Sequence, residues 1–246
     1  LLQKMPDEVP SGVVEQLSQQ SSVLPVPLPS ACFISHQSLP NEPLSNEAMP
    51  NEALQLVWNH RWEYDKGPER LFDAIRFALE DGANLKLHIV GQQFRKTPPV
   101  FDQMKEYLDE YFPNVLGHWG FIEDVSSYRS LLANADVVVS TALHDFQGLA
   151  VLEAVAAGCL ALLPDRLCYP EWFEAPALYR SDLNDSAREA KALGKQFILL
   201  ASMKSKGNLP ISSTLAHFSA EALSPRYWEI FQETIDRHGQ RQHISV

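Results

Sequence analysis

Cysteine, long apolar runs and positive charge are all scarce in this sequence of 246 residues. Its three cysteines, Cys32, Cys159 and Cys168, are odd in number and lack the spacing of metal ligands. This pattern favours a reducing compartment without a disulfide framework, so we predict a cytoplasmic protein. No apolar run approaches the roughly 20 residues of a membrane-spanning helix, and the first residues have no signal-peptide pattern. We therefore expect no membrane partner.

The charge balance is acidic, with 20 Lys and Arg against 31 Asp and Glu and a net charge of -11. Such a chain repels phosphate backbones and anionic lipids on average, so any contact with nucleic acid should be local or made by another part of the protein. The hydrophobic share of 45% and the charged share of 21% are those of a globular protein. They exclude a disordered or collagen-like chain.

The first 53 residues differ in composition from the rest. They hold about half of the prolines and one lysine, and Asn-Glu recurs at five-residue spacing between residues 41 and 53. We interpret residues 1–53 as the remnant of an amino-terminal region plus a Pro-rich acidic linker, with a short helix at 11–20 and an extended stretch at 23–29. Residues 54–246 are predicted to form one domain. The sequence also lacks an initiator Met, so we expect a fragment of a longer chain.

From residue 54 onward, short apolar runs alternate with helical patterns. The predicted strands cover residues 54–58, 85–90, 115–119, 135–141, 160–163 and, more briefly, 177–179. The predicted helices cover residues 68–80, 99–111, 125–133, 148–157, 185–203, 213–222 and 225–238. This alternation predicts an α/β fold with a doubly wound parallel sheet, because a closed barrel needs eight such units. Ligands of these sheets bind at the carboxyl ends of the strands.

The loop after the first strand carries two cations five residues apart, Arg61 and Lys66, followed by a Gly-Pro pair at a helix start. Arginine offers paired donors to phosphate oxygens, lysine offers a point charge, and the helix end adds its positive dipole. These features predict an anion site. The alternative is that both are surface cations paired with Glu63 and Asp65.

The loop after the fourth strand is the second candidate. Asp145 lies in it, Gly148 permits close approach of a ligand to the backbone, and a helix begins there. Glu153 is the only polar residue within 149–157, which predicts that its carboxylate faces a crevice and bonds to a partner. The alternatives are that Asp145 caps the helix and that Glu153 pairs with a basic residue of a neighbouring element.

Together the two loops resemble the donor-binding half of the retaining glycosyltransferases of family 4, which have the two-domain GT-B fold. The residues that match the family pattern are Arg61, Lys66, Gly67, Asp145, Phe146, Gly148 and Glu153. The sequence departs from it at Asp145, where the family usually has the longer Glu. Segments 58–66, 118–120, 144–146 and 169–171 are similar to the queuosine-tRNA mannosyltransferases and their glycosyltransferase-like relatives.

The resemblance implies transfer of a hexose from a nucleotide sugar, with mannose from GDP-mannose and queuosine in tRNA as the narrower expectation. Arg61 and Lys66 would neutralise the diphosphate, Glu153 would accept hydrogen bonds from ribose hydroxyls, and Asp145 would be the catalytic residue beside the anomeric carbon. No Asp-x-Asp pair lies at a plausible strand end, so we expect no metal and no other cofactor. The other implied donor-binding residues are Gly91, Phe121 and Ile122 at the nucleobase, His144 at sugar or phosphate, and Phe146, Gln147, Gly148 and Leu149 through backbone amides.

A GT-B enzyme holds its acceptor on an amino-terminal domain, which residues 1–53 cannot form. We therefore expect the acceptor tRNA to be held mainly by a part outside this sequence, and the fragment alone to be inactive. The alternative is a noncatalytic nucleotide-binding or interaction module, an interpretation that Asp145 in place of Glu favours. A glycoside hydrolase using Asp145 and Glu153 is disfavoured because the two lie at different levels of one loop-helix unit.

Overall fold

The computed structural model describes residues 11–33 and 52–243, with side chains as far as residue 236. These residues divide into two compact units, Leu28–Ala216 and a smaller one made of the chain on either side of it. The acidic linker predicted at residues 41–53 lies almost entirely outside the described residues. The domain division at residue 53 stays a prediction.

The larger unit is built on one parallel sheet of six strands. The strands are β1 Leu54–Trp58, β2 Leu85–Val90, β3 Leu116–Gly120, β4 Val137–Val139, β5 Leu160–Pro164 and β6 Leu178–Tyr179. Their spatial order is β3-β2-β1-β4-β5-β6, and the pairing is parallel throughout. The order reverses between β1 and β4, as in other doubly wound sheets. The predicted fold class is confirmed.

From β1 onward one helix follows each strand, a further helix precedes β1, and another follows the last βα unit. They are α1 Val13–Gln20, α2 Pro68–Glu80, α3 Val100–Tyr111, α4 Val125–Asn134, α5 Leu149–Ala156, α6 Tyr169–Trp172, α7 Ser186–Ser205 and α8 Ala220–His243. Three short 3-10 turns occur at Ser30–Cys32, Tyr64–Lys66 and Ala216–Phe218. Among the described helices, none is both long enough and apolar enough to cross a bilayer.

Helix α2 shows how the sequence sets these elements. Pro68 occupies the first turn, where its missing N–H costs no hydrogen bond, and Gly67 precedes it with φ 63°. Leu71, Ala74, Ile75 and Ala78 recur at three- and four-residue spacing and are buried. They face a core between the sheet and helices α2, α3 and α7. Fully burying one large apolar side chain there contributes about 1.5–3 kcal/mol.

A buried ionic network joins α7 to the ends of the central strands. Glu189 is 1% exposed and pairs with Arg166 at 2.6 Å and with Arg70 at 3.2 Å. Arg166 also donates to the carbonyl oxygens of Thr141 at 3.1 Å and Ala142 at 2.9 Å. Because these carbonyls follow β4 directly, the network fixes the start of the loop after that strand.

Apart from the last two predicted helices, the predicted element boundaries agree with the structure to within two residues. The strand predicted at 135–141 is confined to Val137–Val139, because Ser140 and Thr141 turn their hydroxyls into hydrogen bonds with Tyr169 and with the Lys66 carbonyl. The partners of these hydroxyls belong to α6 and to the loop after β1. Backbone pairing with β5 ends at Ser140, whose amide still donates to the Leu162 carbonyl at 3.2 Å.

The helix predicted at 225–238 lies within α8, but only residues 220–222 of the helix predicted at 213–222 are α-helical, and the helix is continuous where a break was predicted. One helix, α8, runs through Pro225 after the 3-10 turn at Ala216–Phe218. Pro225 lies near the helix start and removes one backbone hydrogen bond, the one to the Glu221 carbonyl. The Ser224 hydroxyl donates to the Ala220 carbonyl nearby at 2.6 Å.

The smaller unit contains α1, α8 and the extended residues 21–27. Tyr227 donates its hydroxyl to the Pro25 carbonyl at 2.9 Å, which ties α8 to the extended segment. Trp228, Phe231 and Ile235 are exposed on α8. A hydrogen bond thus joins the extended segment to α8 within this unit, and part of the α8 surface is apolar.

Candidate functional site

The two loops singled out by the sequence meet at the carboxyl ends of β1 and β4. The Leu143 amide donates to the Asp65 carbonyl at 2.7 Å, and the Thr141 hydroxyl donates to the Lys66 carbonyl at 2.8 Å. A Cβ at Gly67 would lie 2.3 Å from the Thr141 carbonyl oxygen, so only glycine permits this approach. The loops form one surface at the point where the strand order reverses, where ligands of such sheets bind.

Lys66 lies beneath the loop after β4, with its side chain 9% exposed. Its Nζ donates to the His144 carbonyl at 2.7 Å and lies 3.3 Å from Asp65 and 3.8 Å from Asp145. The alternative that Lys66 is a surface cation paired with Asp65 is therefore confirmed for the pairing and wrong for the surface position. Lys66 is a buried cation held by a carbonyl and two carboxylates.

Arg61 differs from Lys66, since half of its side chain is exposed. Its guanidinium pairs with Glu63 at 2.9 Å and lies 6.0 Å from the centre of the Phe94 ring. For Arg61, the alternative interpretation as a surface cation describes the observed geometry. Its role toward a diphosphate stays a prediction.

Asp145 is held in one orientation by three donors. Its Oδ1 accepts the amides of Phe146 at 3.0 Å and Gly148 at 3.2 Å, and its Oδ2 accepts the Tyr169 hydroxyl at 3.2 Å. Because Gly148 is the N-cap residue of α5 and no side chain caps that helix, the first two bonds are those of a turn before α5 and not of the predicted helix cap. They also leave the carboxylate 17% exposed and within 3.8 Å of the Lys66 ammonium. Gly148 adopts φ 73°, and a Cβ there would lie 2.9 Å from the Tyr169 ring.

Glu153 faces a crevice, as predicted. The crevice measures about 80 Å³ and is lined by α4, α5 and the turn at Ser30–Cys32, with Tyr128 and Arg129 among its residues. Burial raises the pKa of Glu153, and Arg129 opposes this effect. Within the described part of the chain, the Glu153 carboxylate forms no hydrogen bond or ion pair, so the predicted bonded partner is not found there.

Three predicted residues lie where neighbouring strands end. Gly91 has φ 146°, and a Cβ there would lie 1.8 Å from the His60 carbonyl oxygen, so glycine is required for the close packing of the loops. Phe121 is exposed and Ile122 is half-buried in the loop after β3. Their position at the sheet edge agrees with a surface for a base, but the assignment stays a prediction.

The remaining predicted residues belong to the loop before α5. His144 is exposed and contacts the edge of Phe146, with ring centres 4.8 Å apart. Phe146 is 86% exposed, Leu149 is exposed and Gln147 is half-buried. The loop thus presents one face to solvent, while Asp145 is anchored on its other face.

His60 is a residue of this region that the sequence reasoning missed. It is buried, its Nε2 has no hydrogen-bond partner, and its ring meets the edge of Trp58. Burial lowers the pKa of His60 to about 4. The charge of Lys66 lowers this pKa further, and the charge of Asp145 opposes the shift. The imidazole is therefore neutral at pH 7. Its place between two polar residues in the motif gave no sign of burial.

Asn59 and Tyr169 were also missed as site residues. Asn59 donates to the Ala150 carbonyl at 2.7 Å and to the Tyr128 hydroxyl at 3.0 Å, which links α5 to α4. Tyr169 contacts Asp145 from a different βα unit. The Tyr-Pro-Glu segment at residues 169–171 was the feature of the sequence that could have indicated Tyr169 as a site residue. Across residues 11–33 and 52–243, no three His, Cys, Asp or Glu side chains are grouped to hold a metal ion.

The sheet order and the loops that meet at its reversal define the class as a Rossmann-like α/β domain. The chain belongs to the glycosyl transferases group 1 family, whose model matches residues 45–176. It is 30% identical over 240 residues to the tRNA-queuosine alpha-mannosyltransferase of Drosophila melanogaster, covering 95% of this chain and 60% of that protein. The chain thus spans about 60% of the length of this relative.

Solved structures agree on the fold. The C-terminal domain of the glycosyl transferase group 1 family protein LpcC from Francisella tularensis is 18% identical with a TM-score of 0.51, covering 63% of this chain and 83% of that one. The pneumococcal O-GlcNAc transferase GtfA, in complex with UDP and GlcNAc, is 14% identical with a TM-score of 0.53 over 77% of this chain and 37% of that one. The predicted family and the carboxyl-terminal GT-B fold are confirmed.

Proposed function

We propose that this chain is the donor-binding domain of a retaining glycosyltransferase that transfers a hexose from a nucleotide sugar. The narrower proposal is transfer of mannose from GDP-mannose to queuosine in tRNA, in the cytoplasm. The observation that carries it is the 30% identity along 95% of the chain to a tRNA-queuosine alpha-mannosyltransferase. Three buried, unpaired cysteines are consistent with the location.

The charges of the site support binding of a diphosphate. Lys66 supplies a cation beneath the loop before α5, and Arg61 supplies an exposed cation in the loop after β1. Preorganised donors of this kind stabilise negative charge that develops on a leaving group without a metal ion. We therefore propose a metal-independent reaction.

Glu153 supports binding of a ribose. Its carboxylate faces a crevice and has no hydrogen bond in the described part of the chain, whereas most buried carboxylates are bonded. An ionised carboxylate only accepts hydrogen bonds, so a pair of vicinal hydroxyls suits it. A ligand that supplies these donors would offset the cost of burial.

Asp145 supports the transfer step. As the bond to the diphosphate breaks, positive charge develops at the anomeric carbon, and an oriented carboxylate near it stabilises that charge. The acceptor would be held by another part of the protein, because this chain is acidic and spans about 60% of the length of its relative. We expect the isolated chain to bind donor and to transfer no sugar.

Calorimetric titration with GDP, UDP, ADP and GDP-mannose, in magnesium and again in EDTA, tests this proposal. The expected result is saturable binding of one diphosphate and its sugar conjugate, equal in both buffers, with affinity at least about tenfold lower in Glu153→Gln. Glu171→Gln removes a carboxylate from α6 and serves as the control. Binding that requires magnesium, or that survives unchanged in Glu153→Gln, contradicts the proposed site.

One observation favours the second candidate, a noncatalytic nucleotide-binding or interaction module. The Asp145 carboxylate is already bonded to its own loop amides and to Tyr169, as a carboxylate with a purely structural role would be. Transfer assays with the full-length protein decide between the two. A module would bind the nucleotide in calorimetry, and its full-length parent would release no product from any sugar nucleotide.

A further inference from the structure

Two buried hydroxyls and one carboxylate form a chain at the end of β4. The Tyr169 hydroxyl lies 2.7 Å from the Ser140 hydroxyl and 3.2 Å from Oδ2 of Asp145, and Tyr169 is 1% exposed. An ionised carboxylate only accepts hydrogen bonds, and a phenol has one proton to give. Tyr169 must therefore donate to Asp145, and Ser140 must donate to Tyr169. The direction of the chain is fixed by its chemistry.

We propose that Tyr169 is a positioning residue that aims the Asp145 carboxylate at the sugar of the donor. The inference rests on the proposed function. Both oxygens of Asp145 are held, Oδ1 by the amides of Phe146 and Gly148 and Oδ2 by the Tyr169 hydroxyl. Burial also raises the pKa of the phenol, so it keeps the proton that it donates. The Tyr169 ring packs on Gly148 as well, so the residue orients both the carboxylate and its loop.

Lys66 is the competitor in this arrangement. Its Nζ lies 3.8 Å from the same Oδ2, farther than the Tyr169 hydroxyl. Without the phenol, the donor nearest to Oδ2 in the described part of the chain is the Lys66 ammonium, and a carboxylate that turns toward it forms a closer ion pair. We infer that Tyr169 keeps Asp145 from being drawn onto Lys66. The positioning by Tyr169 matters more for an aspartate than for the longer glutamate. The shorter side chain reaches the sugar from fewer orientations.

The test is Tyr169→Phe, with Tyr179→Phe as its matched control. Tyr179 is a second buried tyrosine, 2% exposed, whose hydroxyl donates to the Ser140 carbonyl at 2.9 Å and does not contact Asp145. Both variants lose one buried hydroxyl, so both should lower stability, and Tyr169→Phe should lower it more because its hydroxyl has two partners. Binding is measured by calorimetry with GDP and GDP-mannose on this chain, and turnover is measured on the full-length protein.

For Tyr169→Phe we expect an unchanged Kd for GDP, a weaker Kd for GDP-mannose by about fivefold and a kcat lower by about tenfold. Tyr179→Phe should leave all three within about twofold. Equal weakening of GDP and GDP-mannose in Tyr169→Phe, or the same losses in Tyr179→Phe, would mean a merely structural role and overturn the inference. So would unchanged turnover.

A second variant covers the case in which Tyr169→Phe folds poorly. Ser140→Ala removes the donor to the phenol and leaves the phenol in place, so it should lower kcat in the same direction by about threefold with GDP binding kept. No effect of Ser140→Ala on kcat would contradict the chain. If the unchanged protein binds none of the nucleotides, the proposed function itself fails and the inference fails with it.

Discussion

Glu189→Ala tests the buried network with the largest expected effect on stability. The substitution leaves the side chains of Arg166 and Arg70, which are 8% and 12% exposed, without their shared carboxylate. It also removes the acceptor of the Asp182 amide at 2.7 Å. Breaking a buried ion pair by removing one partner costs about 3–5 kcal/mol, and a carboxylate with this many partners belongs near the upper end. We expect a loss of about 4–5 kcal/mol from a total of about 5–15 kcal/mol.

Urea unfolding followed by tryptophan fluorescence measures this change, because Trp58 and Trp62 lie in the core of the same unit. Asp73→Ala is the control, since Asp73 pairs with Arg76 at 3.2 Å on the exposed face of α2 and should cost less than about 1 kcal/mol. Added salt should reduce the effect at Asp73 and leave that at Glu189 unchanged. A loss below about 1 kcal/mol for Glu189→Ala would refute the reasoning.

Two further predictions concern pH and backbone conformation. Burial lowers the pKa of His60 from 6.5 to about 4, so between these pH values the unfolded chain binds a proton that the folded chain does not. The free energy of unfolding should therefore fall by about 3 kcal/mol as the pH falls through this window. His60→Gln should remove this fall from the pH profile of stability measured by urea unfolding. Gly67→Ala should lower stability by more than about 2 kcal/mol, whereas Gly82→Ala, with φ 85° and no atom within 4 Å of its Cβ, should cost about 1 kcal/mol in thermal unfolding. Equal losses in the two glycine variants would contradict the close contact with Thr141.

The parallel βα pattern was readable from the sequence because each signal is local. Segments such as 85–90, in which apolar residues alternate with Lys86 and His88, are short and bounded by turn residues, and α2 lies between a Gly-Pro start and an Asp-Gly end. Both loops of the candidate site could be placed for the same reason. They follow predicted strands, and the ends of parallel strands share one edge of the sheet.

What could not be predicted depends on contacts between distant parts of the chain. The partner of Asp145 is Tyr169 of another βα unit, and Glu189 receives its arginines from α2 and from the loop after β5. The burial of His60 follows from the packing of the loops after β1 and β2, where its carbonyl meets Gly91. The continuation of α8 through Pro225 was not predicted, because proline usually ends a helix.

The contact between the loops after β1 and β4 has a consequence for how the site comes into being. Lys66 and the His144 carbonyl that it contacts are 78 residues apart in the chain, with β2, β3 and α4 between them. A growing polypeptide that ends at β3 has every residue of the first loop and still no binding surface. Assembly of the site therefore waits for the central strand pairing, which carries a large loop-closure cost. A ligand that binds here stabilises the whole sheet by mass action, so its addition should raise the melting temperature of the unit and slow its opening to proteases.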